Sequence, residues 1–376
     1  MRLLSGLTSL INRFYPDSYA IDVKYLSIYR VIFCLAFMLF VGLPSYTWIG
    51  GISKYFYRPP GFSLAFFYDS FPSLSFLNGL TAVNIILFVM MFFGLWCKWS
   101  SVLFSLTSII GHTYWYSFGH VDHYLLWMIT PALLGLSGWG APRQLEQNNT
   151  DRDNSFYIQL LALAIGFSMF TSGMQKIGGG WLYWSKEGTH YNLVNKAFEF
   201  DTKGVMVDYA LLIKGSLIWK LMDYGTVIME IGFLISVWRR KVFNYFLAVA
   251  LIFHILVLLL FNIRFFSNII VYLVFIDWRS VDEHIGFSRL LAAPALYRRL
   301  KIALSLFASA LFLYWGYCVF ALPGRINNSG LFEILFTRWT SIHNPYEASL
   351  NLLFAVAGVI MVYLSYIHVK KLLRRR

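Results

Sequence analysis

Residues 242–262 read VFNYFLAVALIFHILVLLLFN, and this stretch decides the class of protein. Only His254 interrupts it with a group that charges near neutral pH. A bilayer-spanning helix needs about 20 predominantly apolar residues. Such a run must be helical in lipid, because no water is available there to hydrogen-bond the backbone. The stretch therefore predicts a transmembrane helix.

The whole composition agrees with this prediction. Of 376 residues, 58% are hydrophobic and 13% are charged, whereas soluble domains carry about 45–50% apolar and about 25% charged residues. A soluble two-domain enzyme and a disordered chain are thereby excluded. Further apolar segments cover about 27–49, 78–96, 101–119, 122–140, 156–175, 222–238, 265–278, 301–321 and 350–368. The predicted fold class is all-α, a polytopic membrane helical bundle with about eight to ten transmembrane helices.

The net charge of +13 indicates membrane orientation rather than a nucleic-acid partner. If the N-terminus is cytoplasmic and every segment crosses, most of the 31 Lys and Arg residues fall on the cytoplasmic side. The acidic residues divide far more evenly between the two sides. This asymmetry predicts that both termini are cytoplasmic and that membrane lipids are the general partner. We expect an integral, multi-pass protein of a bacterial plasma or inner membrane.

The segments suggest three regions. Residues 1–24 predict an interfacial amphipathic helix, with leucines at helical spacing on one face. Residues 25–280 predict a transmembrane core, and residues 281–376 predict a basic cytoplasmic linker followed by two C-terminal transmembrane helices. No cleavable signal is expected. Two long outer loops are predicted, at 50–77 and 176–221.

Ionisable groups within the membrane are the default functional candidates, because burying them is costly. The sequence places few of them there: Arg30, His112, His120, Asp122, His123, Lys176, Glu230, His254 and Arg264.

The motif His120-Val121-Asp122-His123 has three readings. Two histidines at i and i+3 could share a helix face and bind a metal, with Asp122 adding an oxygen ligand. They could instead take part in catalysis as hydrogen-bonding groups, or have a structural role at the interface. The other histidines are scattered, and the three cysteines show no ligand spacing, so we expect no metal.

Lys176 closes the fifth segment and also has two readings. A lysine at a helix end commonly extends to the lipid headgroups. If it faces the bundle, desolvation disfavours its charged form, and a neutral amine can act as a general base. Gly173 would allow close approach of another helix, and residues 178–180, all glycine, could serve as a hinge.

Glu230 and His254 lie near the middle of neighbouring segments. They could form a buried pair, or Glu230 could pair with Arg30, in either case holding the bundle together. They could also belong to a polar pocket or a proton path. Aromatic residues at the outer boundary, including Trp181, could line a slot for a flat lipid-soluble ring.

Several of these residues resemble a known family. Residues 172–177, which read SGMQKI, followed by Trp181, resemble the glycine-x-x-lysine-leucine-x-x-x-tryptophan motif of vitamin K-dependent gamma-carboxylases and of bacterial HTTM (horizontally transferred transmembrane) domain proteins. Residues 122–126, which read DHYLL, resemble that family's asparagine-histidine-x-tyrosine-leucine stretch. Arg30, Glu230 and His254 are also similar to the family pattern, in the same order, over roughly residues 25–280.

The resemblance implies a mechanism. Lys176 would be the catalytic base that deprotonates a reduced quinone of the vitamin K type, without a metal, and His123 would bind or polarise the quinone. The substrate and quinone pocket would include Arg30, His120, Trp181, Glu230 and His254. Such a protein would be a carboxylase-like lyase acting on a peptide or small substrate at the outer membrane face.

The carboxylases carry a large extramembrane domain after the helical bundle, and we expect this protein to lack one, because the sequence reaches only Arg376 after the tenth segment. Its size is closer to a short branch of the family that includes maturation proteins for secreted, sporulation-delaying peptide toxins. Two alternative functions therefore stay open. One is a non-catalytic membrane maturation or assembly factor for a secreted antimicrobial peptide. The other is a proton-coupled transporter using Glu230 and His254, although the repeats typical of many transporters are absent.

Overall fold

The computed structural model describes residues 19–61, 63–119, 124–140, 152–199, 204, 206–286, 294–321 and 330–332. This part of the chain is helical and contains no β-strand beyond one isolated bridge between Arg58 and Phe118. Its α-helices are α1 Val23–Ala36, α2 Leu74–Phe93, α3 Cys97–Trp115, α4 Leu125–Leu136, α5 Arg152–Gly178, α6 Gly188–Glu199, α7 Val207–Leu211, α8 Ser216–Ser236, α9 Arg240–Phe261, α10 Phe266–Tyr272, α11 Trp278–Ile285 and α12 Pro294–Ala321.

The all-helical class predicted from composition is confirmed for the described residues, and several of their helices are compatible with a membrane protein. Within the described ranges, four helical stretches are long and apolar enough to cross a membrane: Val23–Val41, Leu74–Phe93, Asn154–Gly178 and Arg240–Phe261. Shorter apolar helices occupy Leu125–Leu136, Phe266–Phe275 and Ile302–Tyr317. The predicted helix within 1–24 and the predicted segment at 350–368 lie outside the described residues.

The chain divides into two compact units. The larger contains the described residues up to position 34 and those from 46 to 299; the smaller contains 35–45 and the described residues from 300 onward. Helices α2 to α11 all belong to the larger unit. All the contacts described below are within it.

The predicted loop at 176–221 is wrong in extent. Helix α5 continues to Gly178, helix α8 already begins at Ser216, and two further helices, α6 and α7, lie between them. The predicted sixth segment starts at residue 222, because Lys220 interrupts the apolar run before it, and it includes Asp223. In the structure these two side chains pair with each other inside α8, so the helix accommodates both charges.

Helices α5 and α8 pack closely along their length, and two glycines allow it. A Cβ atom on Gly173 would lie 3.0 Å from Cγ1 of Ile231 and 3.1 Å from Cβ of Glu230. A Cβ atom on Gly166 would lie 2.8 Å from Cγ2 of Val237. Small residues at helix interfaces allow backbones to approach in membrane proteins. The close approach predicted at Gly173 is therefore confirmed.

Candidate functional site

Among the described residues, the closest contact between charged groups joins α5 to α8. Nζ of Lys176, in the last turn of α5, lies 2.7 Å from both carboxylate oxygens of Glu230, which sits in the interior of α8. The side chain of Lys176 is 20% exposed and that of Glu230 is 4% exposed. Of the two readings left open for Lys176, the structure shows the one in which the amine faces the bundle.

Ser172 completes this group of side chains. It lies one helical turn before Lys176, so both project from the same face of α5. Nζ of Lys176 donates to Oγ of Ser172 at 3.0 Å, and this hydroxyl donates to Oε1 of Glu230 at 3.4 Å. The three side chains satisfy one another's hydrogen-bonding groups, as buried polar groups require.

Trp181 covers the same site. The chain turns sharply after α5 through Gly180, whose φ of 81° suits glycine. The Trp181 amide donates to the carbonyl oxygen of Lys176 at 3.1 Å. Nζ of Lys176 lies 5.4 Å from the centre of the Trp181 ring, within cation–π range. Three of the predicted site residues, Lys176, Glu230 and Trp181, are therefore brought together.

This arrangement can move a proton. The amine of Lys176 lies within hydrogen-bonding distance of a carboxylate, and the two groups can be either an ion pair or a neutral amine beside a neutral carboxylic acid. A low-dielectric environment reduces the difference in free energy between the ion pair and the neutral pair, because it disfavours charged groups. The neutral amine is a competent base.

Arg30 does not join this group. Its guanidinium lies against the turn between α2 and α3, where Nη1 is 3.3 Å from Sγ of Cys97. Gly94, with φ of 75°, leaves room for the guanidinium where any other residue would place a Cβ. Among the described residues, Glu230 bonds to Lys176 and Ser172, so the alternative pairings of Glu230 with Arg30 or His254 are not observed.

His254 belongs to another cluster, formed where α9 meets α10. Its Nε2 lies 3.2 Å from the hydroxyl of Tyr272. Its ring stacks on Phe265 with the ring centres 4.3 Å apart. Helix α9 ends at Phe261, and the left-handed conformation of the next residue, Asn262, turns the chain toward α10.

The remaining predicted site residues, His120 and His123, lie outside the described residues together with Asp122. The metal, hydrogen-bonding and structural readings of that motif therefore all stay predictions. In the parts of the chain that are described, His, Cys, Asp and Glu side chains form no group of three or more that could hold a metal.

A second buried charge pair on α8 was missed by the sequence reading. Nζ of Lys220 lies 3.2 Å from Oδ2 of Asp223, with side chains 1% and 0% exposed. The same Nζ donates to the carbonyl oxygen of Trp181 at 2.8 Å. The available signal was the i, i+3 spacing of opposite charges, which places both on one helix face.

His112 was recognised as an intramembrane group but not assigned to a site. In the structure it is buried in α3, with Nδ1 2.9 Å from the carbonyl oxygen of Ser108 and 3.0 Å from the hydroxyl of Tyr46. Its ring stacks on Trp115 and meets the edge of Trp127. Its position among these aromatic rings indicates a packed, hydrogen-bonded core histidine.

Comparison with protein-family models gave no match to this chain. Comparisons with curated proteins and with solved structures also gave none. The functional argument therefore rests on the geometry of Lys176, Glu230, Ser172 and Trp181.

Proposed function

We propose that this chain is a multi-pass membrane enzyme in which Lys176 removes a proton from an acidic hydroxyl group of a flat, lipid-soluble substrate. The contact of Lys176 with both oxygens of Glu230, buried between α5 and α8, carries the proposal. The proposal includes about eight to ten spans with both termini cytoplasmic, which places this site toward the outer face.

In the proposed reaction, Glu230 accepts the ammonium proton of Lys176 when the substrate enters. The neutral amine then removes the substrate's proton, and the resulting ammonium group stabilises the substrate anion beside it. Ser172 lies within hydrogen-bonding distance of both groups and orients them. The burial of Glu230 supports this role, because water would otherwise compete for the proton.

A reduced quinone is the proposed substrate class. Its ring matches the aromatic surface that Trp181 places over the amine, and its two hydroxyl groups are weak acids of the phenol type. The resemblance to vitamin K-dependent carboxylases supports the same assignment and adds His123 as a quinone-binding group. A secreted peptide or protein is the proposed second substrate, which the reaction modifies.

The test uses the full chain in lipid nanodiscs with a reduced menaquinone analogue, measuring oxygen uptake that depends on the quinol. We expect Lys176→Ala to lower the rate by about 10²-fold or more, because a positioned general base contributes about 10²–10⁴-fold. Lys214→Ala is the matched control, since Lys214 is an exposed lysine just before α8, and it should leave the rate unchanged.

Full activity of both the Lys176→Ala and His123→Ala variants would exclude the enzyme. If the wild type shows no quinol chemistry but is required for export of an active secreted peptide, the maturation factor is the correct alternative. Uptake driven by a pH gradient and abolished by Glu230→Gln would identify a transporter.

A further inference from the structure

The loop between α5 and α6, residues 179–187, is bonded to α8 at both of its ends. At its start, the carbonyl oxygens of Trp181 and Leu182 accept hydrogen bonds from Lys220 at 2.8 Å and from Tyr224 at 3.1 Å. At its end, Oδ2 of Asp223 accepts from the Gly188 amide at 3.0 Å. Side chains on one turn of α8 therefore hold the whole loop.

Asp223 also completes the start of α6. Its Oδ1 accepts from the Thr189 amide at 2.8 Å and from the Thr189 hydroxyl at 2.6 Å. The first amides of a helix have no partner within the helix, and a carboxylate there satisfies them. Because Lys220 neutralises this carboxylate, the pair can remain fully buried.

Trp181 connects this network to the Lys176 site. Its indole ring packs directly on Gly188, in the space that a Cβ atom of any other residue would occupy. Nζ of Lys176 lies 5.4 Å from the centre of the same ring. Two contacts therefore position Trp181. Its ring packs on the Gly188 backbone, which is hydrogen-bonded to Asp223, and its backbone carbonyl oxygen is hydrogen-bonded to Lys220.

The Lys220–Asp223 pair and Glu230 lie on the same side of α8. Asp223 and Glu230 are seven residues apart, which is two helical turns or about 10 Å along the axis. Trp181 contacts both pairs: its carbonyl oxygen bonds to Lys220 and its ring lies near Lys176. A change at Lys220 or Asp223 can therefore reach the Lys176–Glu230 pair through this one residue.

We propose that Lys220 and Asp223 are positioning residues, which hold the 179–187 loop and the Trp181 ring over the Lys176–Glu230 pair. The catalytic consequence rests on the proposed function, whereas the placement of Trp181 does not. The pair holds the loop, and with it the Trp181 ring, in one position over the Lys176–Glu230 pair.

The main test measures the loop directly. The full chain is labelled with 5-fluorotryptophan, and the ¹⁹F resonance of Trp181 is assigned with Trp181→Phe. We expect the resonances of Trp181 and of Trp184 in the same loop to shift or broaden in Asp223→Asn, while those of tryptophans far from the loop, such as Trp127 and Trp139, stay in place. Trypsin cleavage after Lys186, an exposed residue of the loop, should accelerate about tenfold or more, because cleavage follows the population of the open loop.

Two further variants keep the test decisive. Lys220→Met combined with Asp223→Leu removes the Lys220–Asp223 pair without leaving an unpaired buried charge. This double variant should therefore fold even if a single substitution prevents folding. It should show the same loop changes, whereas Lys214→Met should show none. An unchanged Trp181 resonance and cleavage rate in the folded double variant would overturn the proposal.

The effect on catalysis is measured separately, by determining kcat and KM for the quinol analogue. The double variant should lower kcat about tenfold or more with a smaller change in KM, because it misplaces the site without removing a catalytic group. If the wild type turns over quinol and the double variant keeps its kcat, the positioning role fails. If the wild type shows no turnover, the proposed function fails, and the ¹⁹F and cleavage results alone decide the placement of Trp181.

Discussion

The carboxylate of Glu230 lies within hydrogen-bonding distance of Lys176 on a neighbouring helix. The effect of substituting Glu230 on stability therefore depends on whether Lys176 is kept. Removing one member of a buried pair leaves the other charge uncompensated, whereas replacing both can be tolerated. The Lys220–Asp223 pair follows the same rule with even lower exposure. At the scale of single residues, the effect of a substitution on stability depends more on the partner of the buried charge than on how deeply the charge is buried.

A double-mutant cycle on Lys176 and Glu230 tests this pairing. We expect Lys176→Met and Glu230→Leu each to lower the free energy of unfolding, and the double variant to recover part of the loss. The interaction energy should be about 0.5–3 kcal/mol, as found for residues in direct contact. Unfolding in mixed micelles by added SDS gives the four free energies.

Strictly additive effects in this cycle would contradict the contact between the two helices. The control is the same cycle with Lys214→Met instead of Lys176→Met, because Lys214 is an exposed lysine outside the pair. Its cycle with Glu230→Leu should show no interaction energy.

At the scale of elements, the distance between α5 and α8 sets the geometry of the site. Lys176 and Glu230 meet because glycines at 166 and 173 bring the two helices together. The element that a hydropathy reading shortens, α8, begins at Ser216 and thereby carries Lys220, Asp223 and Glu230 on one helix. The site thus depends on helix packing as much as on the ionisable residues.

Gly173→Leu tests the packing. The new side chain has no room beside Ile231, so we expect the helices to separate and the free energy of unfolding to fall by about 1–3 kcal/mol, as in overpacked cores. Quinol-dependent oxygen uptake should fall with it. SDS unfolding and the oxygen assay measure the two effects on the same preparation.

Gly225→Ala is the matched control on α8. A Cβ atom there meets nothing within 4 Å, and alanine favours the helix over glycine by about 1 kcal/mol. We expect this variant to be as stable as the wild type or more so. Equal destabilisation by both substitutions would show that the packing at Gly173 is not the cause.

At the scale of the whole molecule, the charge asymmetry predicts which loops face the cytoplasm. The loop after α5 should be outside, and the basic turn between α8 and α9, which contains Arg239, should be inside. In a variant whose native cysteines are replaced, Ser185→Cys should react with a membrane-impermeant maleimide on intact cells. Arg239→Cys should react only after permeabilisation, and the reverse pattern would overturn the orientation.

The sequence by itself determined the all-helical class and most of the helices that the structure describes. Apolar runs such as residues 242–262 admit one solution in lipid, since every backbone group must be satisfied within the helix. The sequence also singled out Lys176, Glu230 and Trp181, because ionisable and amphipathic groups at membrane depth are few.

The tertiary structure alone decided how these residues are used. The sequence left Lys176 between lipid and bundle and offered Arg30 or His254 as partners of Glu230; the packing of α5 on α8 paired Glu230 with Lys176 instead. It also showed that Lys220 and Asp223 are buried together with the loop they hold. Hydropathy sums each residue alone, whereas the cost of a buried charge depends on its partner, which only the packed helices supply.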